Sequence, residues 1–252
     1  MLQQILNTYD SISLSEMKRV RLMNRIDCKY VTTMPYLATL LQEARDSYFV
    51  QHIEGGYVMP YYTLYYDTPD ADMYMEHLRG RKRRQKIRIR RYEATNISFL
   101  EIKNKNNRGQ TEKRRVPLVA DTDNRFDTFI ESYSNYPRSE LSETIENRFS
   151  RITLVNRGLT ERLTIDIGLR FHNLLNNRTC LLDDLVIIEL KRDGRAHSPI
   201  LDILRRLHIH EAKFSKYCMG MVFTNEQLRH NRFKPRVRMI DKMCNIVKDI
   251  NF

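Results

Sequence analysis

An α+β fold is predicted for this chain: a mostly antiparallel sheet with one charged and one apolar face, closed as a barrel so that the charges point inward, with helices packed around it. Three observations predict it. Five segments alternate charged and apolar residues with the period of two that an extended strand requires, so each carries charge on one face and apolar side chains on the other. Helix-start signals fall outside those segments. With 252 residues, 41% of them hydrophobic, the chain is long enough to bury one substantial core.

Taken in order, Ser13-Leu-Ser-Glu16 has the spacing of a capping box and marks an N-terminal helical segment, residues 1–24. The first strand follows, with Arg25, Asp27 and Lys29 opposite Ile26, Cys28 and Tyr30. Thr68-Pro69 then opens a helix expected to run through Leu78. The run from Arg79 to Arg91 begins as bare charge and becomes strict alternation: Arg84, Lys86, Arg88 and Arg90 share one face, while Ile87 and Ile89 share the other. In the next strand Glu101, Lys103 and Lys105 oppose Leu100 and Ile102. Residues Asp121 to Glu146 are expected to be helical and to cover the sheet. Two further strands place Arg162, Thr164 and Asp166 opposite Leu163 and Ile165, and Glu189 and Lys191 opposite Val186, Ile188 and Leu190. Ser198-Pro199 opens a helix with Ile200, Leu204 and Leu207 on one stripe, and Ser215 is placed to cap a helix starting at Lys216. Beyond Met221, residues 225–236 read as a polar linker, followed by an amphipathic stretch with Ile240, Met243, Cys244 and Val247 on one face.

Charged alternation on one strand is also what the solvated face of an antiparallel sheet looks like, and an acid two residues from a lysine is also an ordinary surface salt bridge. Five concordant strands favour an enclosed charged face instead. Arg and Lys dominate that face, so its ligand is expected to be a polyanion, with the few carboxylates suited to a metal.

The net charge of +12 is concentrated, with nine basic residues between Arg79 and Arg91. Basic runs also serve nucleic acid or anionic lipid; here Arg79 to Arg84 also suits drawing polyanions towards a tunnel mouth. No Gly-rich phosphate loop is present, so a nucleotide is expected to be held by side chains, and no specific nucleic acid is expected. Cys28, Cys180, Cys218 and Cys244 are isolated singles without zinc spacing, and His208 with His210 reads as polar surface. No apolar segment reaches the length of a membrane span and no signal-peptide core is evident, so the expectation is a soluble, cytoplasmic protein.

The ordered motifs resemble the VTC (vacuolar transporter chaperone) polyphosphate polymerase domain, a branch of the triphosphate tunnel metalloenzymes that also include the CYTH proteins. They are Arg25-Ile-Asp-Cys-Lys29-Tyr30, Leu64-Tyr-Tyr-Asp67-Thr68-Pro69, Lys86-Ile-Arg88-Ile-Arg90, Phe99-Leu-Glu101-Ile-Lys103, Glu112-Lys113-Arg-Arg115, Arg162-Leu-Thr-Ile-Asp166, Ile188-Glu189-Leu-Lys191 and Lys213-Phe-Ser215-Lys216-Tyr217. The resemblance spans residues 25–221 and leaves 222–252 as a linker and amphipathic helix. It implies a closed barrel, the triphosphate tunnel, that transfers the terminal phosphoryl group of ATP to a growing inorganic polyphosphate chain with Mn²⁺ or Mg²⁺. Carried over, Lys29, Arg88, Arg90, Lys103, Arg162 and Lys216 contact the phosphates. Arg25, Lys86, Lys113, Arg115, Lys191, Lys213 and Ser215 bind substrate around them, Glu189 holds the metal, and Glu101 is its helper.

The tunnel hydrolases carry Glu-x-Glu-x-Lys where this chain has Arg25-x-Asp27-x-Lys29. An arginine there removes a group able to activate water and adds a phosphate contact, which favours transfer over hydrolysis. A tripolyphosphate or nucleoside-triphosphate hydrolase, and a non-catalytic polyphosphate- or RNA-binding module, are the competing readings. The oligomeric state is not fixed by the sequence.

Overall fold

The computed structural model describes residues 1–20, 25–118, 125–194 and 196–249. In chain order the elements are α1 (Leu2–Leu6), β1 (Ser11–Ile12), β2 (Arg25–Thr33), α2 (Met34–Ala44), β3 (Tyr48–Gln51), β4 (Met59–Asp67), α3 (Asp72–Arg79), β5 (Arg84–Tyr92), β6 (Ile97–Lys105), β7 (Thr111–Leu118), α4 (Arg125–Tyr133), β8 (Ser142–Asn156), β9 (Glu161–Asn173), β10 (Arg178–Leu182), β11 (Leu185–Asp193), α5 (Pro199–Arg206), α6 (Lys216–Thr224), α7 (Lys234–Met243) and β12 (Val247–Lys248). All five alternating segments are strands: β2, β5, β6, β9 and β11.

The strands form one sheet whose central path runs β2-β11-β9-β8-β4-β5-β6-β7, every neighbour antiparallel. The far half of β9 pairs with β10 and so with β12, and β8 also carries β3, on which β1 lies parallel. The closure predicted from the sequence is not made by strand pairing. Among the described residues no ladder joins β2 to β7. The edge of β2 is met instead by the chain before α6, through a bridge between Tyr30 and Glu211 and a hydrogen bond from Ala212 N–H to the Lys29 carbonyl at 2.8 Å. The sheet nevertheless turns its charged face on itself, because Lys103 on β6 lies in the field of Glu189 on β11, and Lys86 on β5 in that of Lys29 on β2.

Both faces are packed. On the outer face, Val186, Ile188, Leu190, Leu163 and Ile165 meet α2 and α5 through Leu37, Leu40, Leu41, Ile200 and Leu204. Leu37, Leu40 and Leu41 are fully buried, and each contributes about 1.5–3 kcal/mol of burial. The outer face of β4, β5 and β6 is covered by α4 and α3 through Ile130 and Met73. The inner face divides. One half is apolar (Val31, Tyr65, Ile145, Phe149, Phe171 and Ile187) and receives α6 through Tyr217, Cys218, Met221 and Val222. The other half carries the charges. Gly220 permits the close approach, since a Cβ there would lie 2.6 Å from Phe171 Cδ1 and 2.7 Å from Ile145 Cδ1. The sequence reading placed helices around the barrel and did not anticipate this inner packing.

Local capping explains several boundaries. The Ser13–Glu16 box forms, with Ser13 N–H donating to Glu16 Oε2 at 2.9 Å, but the turn it starts is a short 3-10 helix, Glu16–Arg19, and the same segment contains β1. The helix expected to open at Thr68-Pro69 begins at Asp72. The Asp67 carboxylate accepts from the backbone N–H groups of Met73 and Tyr74 at 2.9 and 3.0 Å, and Thr68 Oγ1 from that of Asp72 at 3.0 Å, so the capping side chains stand a turn earlier than the helix itself. Of the helix expected over 121–146, residues 121–124 lie outside the described residues. α-Helix is found over Arg125–Tyr133 and a 3-10 turn over Arg138–Glu140, and from Ser142 onward the chain is the long strand β8.

The expected boundary at 221/222 falls inside α6. The polar stretch after it is not a free linker: Phe233 is buried against α3, its ring 5.8 Å from that of Tyr74, and Ile240 and Cys244 join the same apolar cluster. The amphipathic stretch therefore docks on this chain's own core, whereas Val247 is exposed and belongs to β12. No helix among the described residues is long and apolar enough to cross a membrane, and all four cysteines are free.

Candidate functional site

Alternation along each strand and the antiparallel register together assemble the charged half of the inner face. Across β2, β11, β9 and β8 the ladder aligns Lys29, Glu189, Thr164 and Thr153 in one row, and Asp27, Lys191 and Arg162 in the next. Across β4, β5, β6 and β7 it aligns Tyr65, Arg88, Glu101 and Arg115, with Lys86, Lys103 and Lys113 beside them.

Two buried carboxylates hold the arginines. Glu101, expected as a metal helper, is fully buried; Arg88 Nε donates to its Oε2 at 2.7 Å and Lys113 pairs with Oε1. Burial pushes its carboxyl up, yet Arg88, Arg90 and Lys113 outweigh that and hold it down at about 2. With both oxygens engaged by cations, it fixes Arg88 in place. Asp166 does the same on the other side: Arg151 Nε and Nη2 reach its two oxygens at 2.6 and 2.9 Å, and Lys216 pairs with Oδ2. Its carboxyl is also held at about 2, burial being outweighed by Arg151 and Lys216.

Glu189 differs. Its Oε1 lies 2.8 Å from Lys29 Nζ and 3.7 Å from Lys191 Nζ, its side chain stays 23% exposed, and neither contact is a guanidinium fork. Burial again raises its pKa, but Lys191 and Lys29 hold the carboxyl well below the usual range. Among the described residues no cluster of three or more His, Cys, Asp or Glu is placed to hold a metal by itself. A hard divalent ion that takes most of its oxygens from water and phosphate needs only one or two carboxylates, and the donor chemistry of Glu189 fits such an ion.

The remaining cations are under-neutralised. Arg90 is only 9% exposed, has no acid partner among the described residues, leaves its buried Nε without a hydrogen bond, and lies over the Tyr61 ring at 5.8 Å. Burial, then Arg88, pushes its pKa down. Arg162 Nε is likewise buried without a partner. The Lys103 side chain has no hydrogen bond or ion pair among the described residues, and Arg88, burial and Arg90 together bring its pKa down to about 6. Burial also depresses Lys86, Lys113, Lys191 and Lys216, even though three of these have acid partners. Buried donors and cations left this way are costly unless an anion enters to meet them.

The loop before α6 completes the site. Ser215 Oγ accepts from Cys218 N–H at 3.3 Å as the helix cap and from Lys86 Nζ at 2.8 Å, which ties β5 to the helix N-terminus. Lys216 lies over the Phe149 ring at 4.4 Å. Lys213 is exposed on the rim, in the field of Lys105. Arg115 is also exposed, over the Phe99 ring at 4.5 Å. Of Arg25 only the backbone, at the start of β2, is described.

The residue missed by the sequence reading is Arg151. Its strand, Asn147-Arg-Phe-Ser-Arg-Ile-Thr, brings a single charge to the inner face between Phe149 and Thr153, so no charged alternation announced it. The usable signal was Asp166, an acid on the inner face of β9 whose burial demands a cationic partner.

Known proteins bear on this arrangement at two levels. A search of curated proteins finds no match. Among solved structures, a candidate adenylyl cyclase from Hippeastrum, described as having a dominant triphosphatase activity, aligns with TM-score 0.50 and 14% identity over 82% of this chain and 99% of its own, a likeness of fold. An adenylate cyclase-like protein from Bacillus halodurans (TM-score 0.49, 16% identity, 77% of this chain and 96% of that one) and a Pyrococcus horikoshii protein (0.44, 15%, 77% and 97%) also align. The sequence itself matches the VTC domain over residues 24–225, from the start of β2 through α6, and the chain belongs to that family.

Proposed function

We propose that this protein is a metal-dependent phosphotransferase that moves the terminal phosphoryl group of ATP onto a polyphosphate chain within the cationic lumen. The observation that carries the reading is the set of lumen cations lacking an acid partner, above all the buried Arg90 and the half-buried Lys103, beside a carboxylate, Glu189, that is not locked by an arginine. A lumen closed around the phosphates belongs to this proposal, with the chain before α6 covering the β2 edge.

Phosphoryl transfer asks little covalent chemistry of the protein; alignment and charge stabilisation supply most of the rate. Arg88 and Arg151, fixed by Glu101 and Asp166, present rigid guanidinium groups that fork onto phosphate oxygens. Arg90, Arg162 and Lys103 meet the remaining oxygens, and Lys86 and Lys216 do so at the α6 N-terminus. Lys29 and Lys191 hold Glu189 ionised, the state a metal ligand needs. A Mn²⁺ or Mg²⁺ ion held by Glu189, when bound, would neutralise phosphate charge.

The second reading is hydrolysis of a triphosphate in the same lumen, supported by the activity described for the Hippeastrum protein. Incubation with ATP and Mn²⁺ or Mg²⁺, with Glu189→Ala as control, separates the two. Phosphate polymer plus ADP, lost in the variant, supports transfer. Orthophosphate without polymer supports hydrolysis, and no turnover under any metal overturns both.

A further inference from the structure

Resting on the phosphate-chain reading of the lumen, we propose that the basic surface beside α7 is an outer binding shelf that holds the part of a phosphate chain lying outside the lumen. The shelf begins where the lumen ends. Arg84 is two residues before Lys86 on the same face of β5, and the turn before it exposes Arg81, Lys82 and Arg83.

That turn is clamped to the C-terminal segment. Arg232 donates from Nη1 to the carbonyl of Arg79, the last residue of α3, and Gly80 sits directly beneath its guanidinium with φ +73°; a Cβ at Gly80 would lie 2.2 Å from Arg232 Nη1. Cations from separate elements converge on the same place. Burial pushes His77 down to about 2, and Lys86, Arg84, Arg236 of α7 and Lys105 of β6 add to it, so all four lie near enough to act on its charge. Lys105 in turn lies in the fields of Arg84 and Lys213.

Among the described residues, Arg81, Lys82, Arg83, Lys105, Lys213 and Arg236 have no carboxylate at ion-pair distance. Glu76 feels the charge of Arg81 without pairing with it, and α7 contributes the single acid Asp241. The chemistry favours a bare phosphate chain over nucleic acid, because the neighbouring rings, Phe214 and Phe233, are 7% and 2% exposed and offer no platform for stacking a base.

The test compares long-chain polyphosphate with tripolyphosphate, which is short enough for the lumen alone, in equilibrium binding at two salt concentrations. The proteins are the unaltered chain, the triple variant Arg81→Ser/Lys82→Ser/Arg83→Ser, and Arg236→Gln. The triple variant is expected to lose at least about tenfold in long-chain affinity, with a shallower salt dependence, while its tripolyphosphate affinity stays within about twofold. Arg236→Gln should shift long-chain binding in the same direction. Equal loss of both ligands, or unchanged long-chain binding, overturns the shelf; so does single-stranded RNA bound by the unaltered protein as tightly as long polyphosphate and lost in the triple variant. Failure of the lumen reading has its own signature: no tripolyphosphate binding by the unaltered protein.

Discussion

Lys103 predicts that polyanion binding takes up a proton. In the free protein its pKa is about 6, depressed by Arg88, by burial and by Arg90. At pH 8 only about 1% of Lys103 is then charged. A triphosphate among these cations offsets the repulsion from Arg88 and Arg90 and returns the ammonium to its charged form, so about one proton per site is absorbed on binding. The sign follows: Lys103 weakens affinity for tripolyphosphate as pH rises above about 6, by up to tenfold per unit, and the ligand's own last proton contributes alike to the unaltered protein and to Lys103→Met, so the difference between them isolates the lysine. Free-protein stability moves the opposite way. The folded pKa is depressed, so unfolding takes up a proton in the window above about 6, and Lys103 adds to stability as pH rises from there towards the ordinary lysine value of 10.5. Calorimetric titration of tripolyphosphate without metal at pH 8, in two buffers of different ionisation enthalpy, measures the uptake directly. About one proton more taken up by the unaltered protein than by Lys103→Met is the expected result. Equal proton exchange in the two proteins refutes the reasoning.

Three further variants probe separate parts of the site. Glu101→Ala leaves the buried Arg88 without its partner and should destabilise the fold by about 3–5 kcal/mol, read by urea denaturation and partly recovered by tripolyphosphate. Arg90→Met removes a buried cation that has no acid partner, so tripolyphosphate affinity should drop about tenfold or more while the melting temperature holds or rises; a lower melting temperature with intact affinity would count against the assignment. Gly220→Ala forces α6 away from Phe171 and Ile145, which should cost about 1–3 kcal/mol and weaken phosphate binding through the displaced Ser215 and Lys216, visible as parallel losses in melting temperature and affinity.

The strands that carry most of the site were legible because their charge repeats. β5 and β6 each put three or more charges on one face, and period-two alternation marks both the fold and the lining at once. β8 was not legible: it brings one arginine to the charged inner face, and the predicted helix overran its first residues. Its meaning lies in the tertiary pairing of Arg151 with Asp166, which no local pattern encodes. The pairing of Glu101 is hidden from the sequence for a related reason. Spacing puts an acid on the inner face, but only the register reveals that Arg88 and Lys113 take up both its oxygens. The apolar inner half escaped notice because Val31, Ile187 and Phe171 read as core without showing which face they occupy; there α6 enters the sheet, and Gly220 was the one local hint.

A crystal structure of the protein with tripolyphosphate and Mn²⁺ would show whether the inner cations hold the phosphates. Phosphate oxygens are expected within hydrogen-bond distance of Arg88, Arg90 and Lys103, with the ion on Glu189. Phosphates bound only on the outer surface, with the lumen cations still unpartnered, would contradict this arrangement.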